Sequence, residues 1–269
     1  MLSLRNDFGR MGRAIEQRYL RCTEWWRAHL ELTTSFVAAH VPESASVAVL
    51  GAGRLLDIDV RGLLHRCHTV HLFDADPDAA SRWRGVVGRE YGTRVVGHVV
   101  DLTDSMNLWT KGLAAAIRTG RLLEFLGECR APVPAWAHES FDGYVSLNLL
   151  GQIPLYWRDR VLAAAGELSG EHWLALEGAM GQLQAAHMRG LVLRPDAWSL
   201  LVTDTEYYFY QGDQSKWRVE PALFGEAREV YEANFAREVR DTWLWHIAPQ
   251  FIESDDEGEI HRVEASVKV

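Results

Sequence analysis

The chain has 269 residues, with Lys plus Arg at 28 against Asp plus Glu at 37, a formal net charge of −9. That length accommodates one α/β domain with a sizeable core plus an extension, and the acidic balance argues against a protein whose main task is gripping nucleic-acid phosphates. The first twenty residues carry charges throughout and no later run reaches membrane-spanning length, so no signal peptide and no membrane anchor are expected, and the expected location is cytoplasmic.

Residues 11–40 are free of proline and place Ile15, Tyr19, Trp26 and Leu30 near helical spacing, which predicts a helical extension over residues 1–45, closed by Pro42. From Val47 the pattern alternates between strand-like and helix-like segments. Strands are predicted near 47–51, 69–74, 94–100, 141–147 and 172–177, with helices near 58–67, 77–91, 107–127, 154–168 and 179–190. Such alternation is the signature of a doubly wound, mostly parallel sheet covered on both faces, here spanning residues 46–269. The segment 197–217, rich in aromatics, reads as an inserted strand or hairpin. Thr242 to Pro249 and Glu259 to Val269 are two strand-like runs joined by ESDDEG, too short for a crossover helix, so they form an antiparallel C-terminal hairpin.

Two stretches carry the chemistry. In SVAVLGAGRLLDID a β-branched run ends in Gly51 and Gly53, where backbone can approach a ligand closely. In VHLFDADP the next apolar run ends in Asp74, whose carboxylate can accept both hydrogen bonds of a ribose diol. Asp76 before Pro77 suits a helix cap. The three cysteines, Cys22, Cys67 and Cys129, are far apart and odd in number, and the His65, Cys67, His68, His71 group falls at a helix end and strand start away from the predicted site. No metal site is therefore expected.

With the acid after strand three, Asp101, and the post-strand-four segment SLNLLGQIP, these features make residues 46–269 resemble the class I S-adenosylmethionine-dependent methyltransferases. The resemblance implies S-adenosylmethionine as cofactor and a small-molecule or protein methyl acceptor, with nucleic acid disfavoured. It also implies that Gly51, Ala52 and Gly53 approach the methionine part, Asp74 and Ala75 the ribose, Asp101 and Leu102 the adenine, and Asn148 the methyl end. The chain departs from the pattern at Val49, where an acid is frequent, and at Leu55, where a third glycine is frequent. Arg54 and Asp57 can make good that loss by pairing with the methionine carboxylate and ammonium, or Asp57 or Asp59 can cap the following helix.

For a base touching the acceptor, His29, Glu177 and His187 are the candidates, each with a plain structural reading beside it: an exposed helix polar group for the histidines, a loop acid for Glu177. Two rival functions share the pattern. VAVLGAG also opens dinucleotide fingerprints, although the third glycine of a nucleotide-dependent oxidoreductase would stand at Leu56. A non-catalytic member of the fold, acting as scaffold or ligand sensor, is the other.

Overall fold

The structure is a computed structural model that describes residues 4–89, 92–212 and 216–269. The predicted helix end at residues 90–91, the tip of the 197–217 segment at 213–215 and residues 1–3 lie outside it.

Two helices open the chain, α1 (Leu4–Arg21) and α2 (Thr23–His40), where the sequence predicts one continuous stretch; they part at Cys22. The strands that follow are β1 (Ser44–Leu50), β2 (Cys67–Asp74), β3 (Val95–Val99) and β4 (Gly143–Leu147). They alternate with α3 (Val60–Arg66), α4 (Pro77–Val87), α5 (Met106–Arg118) and α6 (Leu122–Glu128), and α7 (Gln152–Ala165) and α8 (Gly170–Leu191) follow β4. The chain closes with β5 (Trp198–Gln211), β6 (Lys216–Pro221), α9 (Glu226–Asn234), β7 (Val239–Ala248) and β8 (Gly258–Lys268).

All eight strands form one sheet of order β3-β2-β1-β4-β5-β8-β7, with β6 hydrogen-bonded to the outer half of β5. Strands β1 to β5 pair in parallel, and β8 runs antiparallel between β5 and β7. The sheet is therefore doubly wound and mostly parallel with an antiparallel terminal hairpin, the class I methyltransferase-like fold. It carries two cores. One gathers the side chains under α5 to α9, including Trp157, Leu176 and Leu183; the other lies under α2, α3 and α4, including Val47, Val49, Leu72, Trp83, Trp243 and Trp245. Both faces of the central strands are thus dry, which is why β4 is buried along its whole length.

Three sequence expectations need correction. Residues 172–177 are not a strand but lie inside α8, where Leu176, Ala179, Met180, Leu183 and Leu191 are buried at helical spacing while Leu174 is 70% exposed. The short apolar run read alone does not separate the two periods. The fifth parallel strand is instead β5, whose Ser199 to Thr203 are all buried, so the segment read as an insertion is central to the sheet. The helix expected over 107–127 breaks at Gly120, which takes a left-handed φ of 67°, and α9 was not foreseen.

Candidate functional site at the carboxyl edge of the sheet

The turn after β1 is built by its glycines. Gly51 and Gly53 adopt φ of 74° and 48°, a region other residues enter at a cost of about 1–2 kcal/mol. Leu55 enters it as well, at φ 57°, so the backbone keeps a glycine-like conformation at the position where the sequence lacks the third glycine. Gly51 and Ala52 both donate to Phe73 O on β2, tying the turn to the neighbouring strand.

Asp74 stands at the tip of β2 and closes the turn. Its Oδ2 accepts from Gly53 N at 2.7 Å and its Oδ1 from Asp76 N at 2.7 Å. Burial pushes its carboxyl up, and backbone donors at Asp76, Gly53 and Ala75 act against that. A carboxylate offers about four acceptor sites, so capacity remains for a further donor such as a hydroxyl. Ala75 follows in the same bend. Asp76 caps α4 through Asp78 N at 2.8 Å with Pro77 behind it, as the sequence predicts. Asp101 is occupied locally. Its Oδ1 accepts from Thr103 N and Oγ1, its Oδ2 from Met106 N, so it anchors the start of α5, while the buried Leu102 offers its carbonyl to Trp136 Nε1.

Arg54 lies inward, its guanidinium 3.2 Å from Glu16 of α1 and 3.6 Å from Asp76 with its side chain 6% exposed, and none of its three nitrogens makes a hydrogen bond to a described residue. Asp57 takes another partner, Asn148 from the loop after β4, at 2.8 Å, and the residue at the N-cap of α3 is Asp59.

Asn148 joins three elements. It is buried with φ 52°, and its side-chain amide nitrogen also lies 3.1 Å from His29 Nε2 on α2. His29 Nδ1 in turn lies 3.0 Å from Trp243 Nε1, and its ring stacks on Trp245 at 3.9 Å. An indole N–H only donates, so His29 Nδ1 accepts and the neutral ring carries its proton on Nε2. An amide nitrogen opposite that proton would set donor against donor. Rotating the amide by a half turn, which leaves its shape unchanged, puts oxygen there. The same oxygen then faces Asp57 Oδ2, and a hydrogen bond between them requires Asp57 to be protonated. Burial pushes the Asp57 carboxyl up, in the same direction.

Beside this chain lies a second polar group that sequence reasoning missed. Asp204 of β5 and His261 of β8 approach to 3.1 Å, and His261 Nε2 lies 2.8 Å from Glu259. Burial lowers the His261 pKa, but the two carboxylates outweigh it and push it up to about 9. The Tyr207 ring packs against His261 with centroids 4.4 Å apart and the planes tilted by 45°. Asp204 Oδ1, His261 Nδ1, Trp245 Nε1 and the outer amide atom of Asn148 are all buried without hydrogen-bond partners among the described residues. An unmet buried polar group costs about 1–3 kcal/mol, so this cluster calls for a bound water or ligand as hydrogen-bond partner. No sequence motif signals this group, because its members sit 57 residues apart on strands that meet only in the sheet.

The other two candidate bases lie elsewhere. His187 is buried on α8 with Nε2 2.9 Å from Ser146 Oγ, and burial pushes it down to about 3. Glu177 is exposed on α8 beside Glu220 and Arg228. Neither touches the turn after β1. Two open surface grooves lie on the α8 side, one against α6 and α9 and one between α8 and the β6–α9 segment. Among the described residues no group of three or more His, Cys, Asp or Glu is placed to hold a metal, and no helix is long and apolar enough to cross a membrane.

No protein-family model matches the chain, and no curated protein does. Among solved structures it is similar to a DhpI–SAH complex at 11% identity, covering 98% of this chain and 97% of that one with a TM-score of 0.43. It is similar to magnesium protoporphyrin IX methyltransferase (ChlM) from Synechocystis PCC 6803 with bound SAM at 12% identity, covering 96% and 94% with a TM-score of 0.45. A third is the N-methyltransferase NodS from Bradyrhizobium japonicum WM9, at 10% identity, covering 90% and 97% with a TM-score of 0.37.

Proposed function

We propose that the chain is an S-adenosylmethionine-dependent methyltransferase acting on a small-molecule or protein acceptor. The observation that carries this reading is the turn after β1. Two left-handed glycines lie against the tip of β2, where Asp74 holds the Gly53 amide and keeps acceptor capacity for a ribose hydroxyl. The backbone at Gly53 is open to close approach, since a Cβ added there would meet nothing nearer than 3.8 Å. Gly51, Ala52 and Gly53 would flank the cofactor, Asp74 and Ala75 its ribose, and Asn148 and Asp57 its methionine end, with the unbonded guanidinium nitrogens of Arg54 beside the turn for its carboxylate.

When bound, the cofactor supplies an activated methyl group on a sulfonium. The chain's own work is then to align the acceptor, exclude water and receive a proton from an acceptor that arrives protonated. Helix α1 serves the exclusion. Its Phe8 and Met11 pack on the core under α7, its Ile15 and Tyr19 on the core under α2, so it crosses the carboxyl edge from one face of the sheet to the other.

Titration calorimetry with S-adenosylhomocysteine tests the reading. Wild type binds it, and Asp74→Asn weakens it by about one to two decades, the 1.5–3 kcal/mol of charge-assisted hydrogen bonds. Equal affinities would overturn the ribose assignment.

A further inference from the structure

We propose that α1 carries a built-in competitor for the cofactor: the Glu16 carboxylate holds the charge of Arg54 that the methionine carboxylate of S-adenosylmethionine takes, so the cofactor binds by displacing Glu16. This deepens the methyltransferase reading and rests on it.

The contact face of α1 is laid out at helical spacing. Gly9, Gly12, Arg13 and Glu16 stand at i, i+3, i+4 and i+7 and so share one side of the helix. That side lies on the turn after β2 and on Arg54. Arg13 pairs with Asp78 at 2.5 Å, and a Cβ on Gly12 would collide with Asp76 Oδ2. Glu16 Oε2 then stands 3.2 Å from Arg54 Nη1, while its Oε1 stands 2.5 Å from Arg82 on α4. With no side chains at Gly9 and Gly12, the helix comes near enough for a carboxylate of α1 to reach a guanidinium that water scarcely touches.

Arg54 is balanced in charge without being satisfied in hydrogen bonds. Its Nε, Nη1 and Nη2 and the Oδ2 of Asp76 bond to no described residue, although Glu16 and Asp76 stand 3.2 and 3.6 Å from the guanidinium. A guanidinium binds most strongly to a carboxylate laid flat against two of its N–H groups, and neither carboxylate in place is laid so. The charges of Arg54 and Arg82 match those of Glu16 and Asp76. A methionine carboxylate brought to Arg54, its ammonium going to Asp57, adds one negative charge to this balanced set, so one carboxylate has to yield. Asp76 is fixed, because its Oδ1 caps α4 through Asp78 N at 2.8 Å. Glu16 is not. Its side chain is 26% exposed and already reaches Arg82, which is 53% exposed and can follow it toward water.

The test is calorimetry with S-adenosylhomocysteine and with methylthioadenosine, which keeps the nucleoside and thioether but has no carboxylate. Glu16→Gln, which keeps the shape and removes the charge, binds S-adenosylhomocysteine several-fold more tightly than wild type. Arg82→Gln, which leaves Glu16 no cation but Arg54, binds it several-fold more weakly, and both variants bind methylthioadenosine as wild type does. Opposite shifts from the two partners of one ion pair separate competition from a merely structural contact, whose loss moves both variants the same way. Affinity is read and not rate, because loosening α1 speeds entry and exit alike. Unchanged or weaker S-adenosylhomocysteine binding in Glu16→Gln, unchanged or tighter binding in Arg82→Gln, or an equal gain for both ligands would each overturn the proposal. Should Glu16→Gln fail to fold, Arg82→Gln decides by the same comparison. Failure of wild type to bind either nucleoside would instead overturn the cofactor reading itself, so the two failures are distinct.

Discussion

At the scale of single residues, a donor that can do nothing but donate determines the protonation of a carboxylate three groups away. Trp243 sets the His29 tautomer, His29 sets the Asn148 amide, and Asn148 requires a proton on Asp57. A neutral Asp57 must ionise to meet the ammonium of a methionine moiety, so S-adenosylhomocysteine is expected to release a proton on binding. Adenosine, which lacks that ammonium, is expected to release none. Titration in two buffers of different ionisation enthalpy reads the difference directly, and Asp57→Asn removes it. Identical proton counts for the two ligands would assign Asp57 a purely structural role.

At the scale of elements, α1 acts as a strap held by charge at both ends and the middle. Asp7 pairs with Arg160 on α7, Arg13 with Asp78, Glu16 with Arg54 and Arg82, and Arg18 and Arg21 with Glu253 between β7 and β8. Its apolar contacts are few beside those of α2, which buries Trp26, His29, Thr33, Phe36 and Val37. Only the Arg13–Asp78 pair is exposed on both sides, whereas Asp7, Arg54 and Glu253 are each less than a tenth exposed, so with few apolar contacts of its own α1 depends on these partly buried pairs, and removing one partner leaves a buried charge unpaired. Glu16→Gln combined with Glu253→Gln is expected to speed amide exchange in α1, leave α2 protected, and raise the dissociation rate of S-adenosylhomocysteine several-fold. Equal exchange in both helices would show that α1 belongs to the rigid body of the fold.

At the scale of the whole molecule, three buried histidines shape stability against pH. Burial pushes His29 and His187 down to about 3, against about 6.5 in an unfolded chain. The native state then binds fewer protons between those values, so stability held above about pH 6.5 is lost as pH falls toward 3. For His261, raised to about 9, the sign reverses. Its contribution is complete below about pH 6.5 and is lost as pH rises through 9. Melting temperature should therefore peak close to neutrality and fall on both sides, with Glu259→Gln reducing the alkaline loss. A curve that climbs without a maximum from about pH 4 to 10 would contradict the buried Asp204–His261–Glu259 charges.

The amino-acid order by itself determined what depends on neighbours along the chain. Glycines ending a β-branched run made the turn at Gly51 to Gly53, an acid ending the next run placed Asp74 at its strand tip, Asp76 before Pro77 capped α4, and two runs joined by a short acidic turn became the β7–β8 hairpin. Those are local outcomes of backbone sterics, capping and connection length. Only tertiary structure decided what depends on partners far apart. Whether 172–177 or 198–211 entered the sheet turned on which segment could be buried on both faces beside β4. Whether Arg54 was free for a ligand turned on Glu16 crossing from α1. The Asp204, Tyr207, Glu259 and His261 group arose because antiparallel pairing sets β5 against β8. Burial of that group, which raises the cost of every charge in it, is a property of the assembled sheet and its covering helices, and no local pattern encodes it.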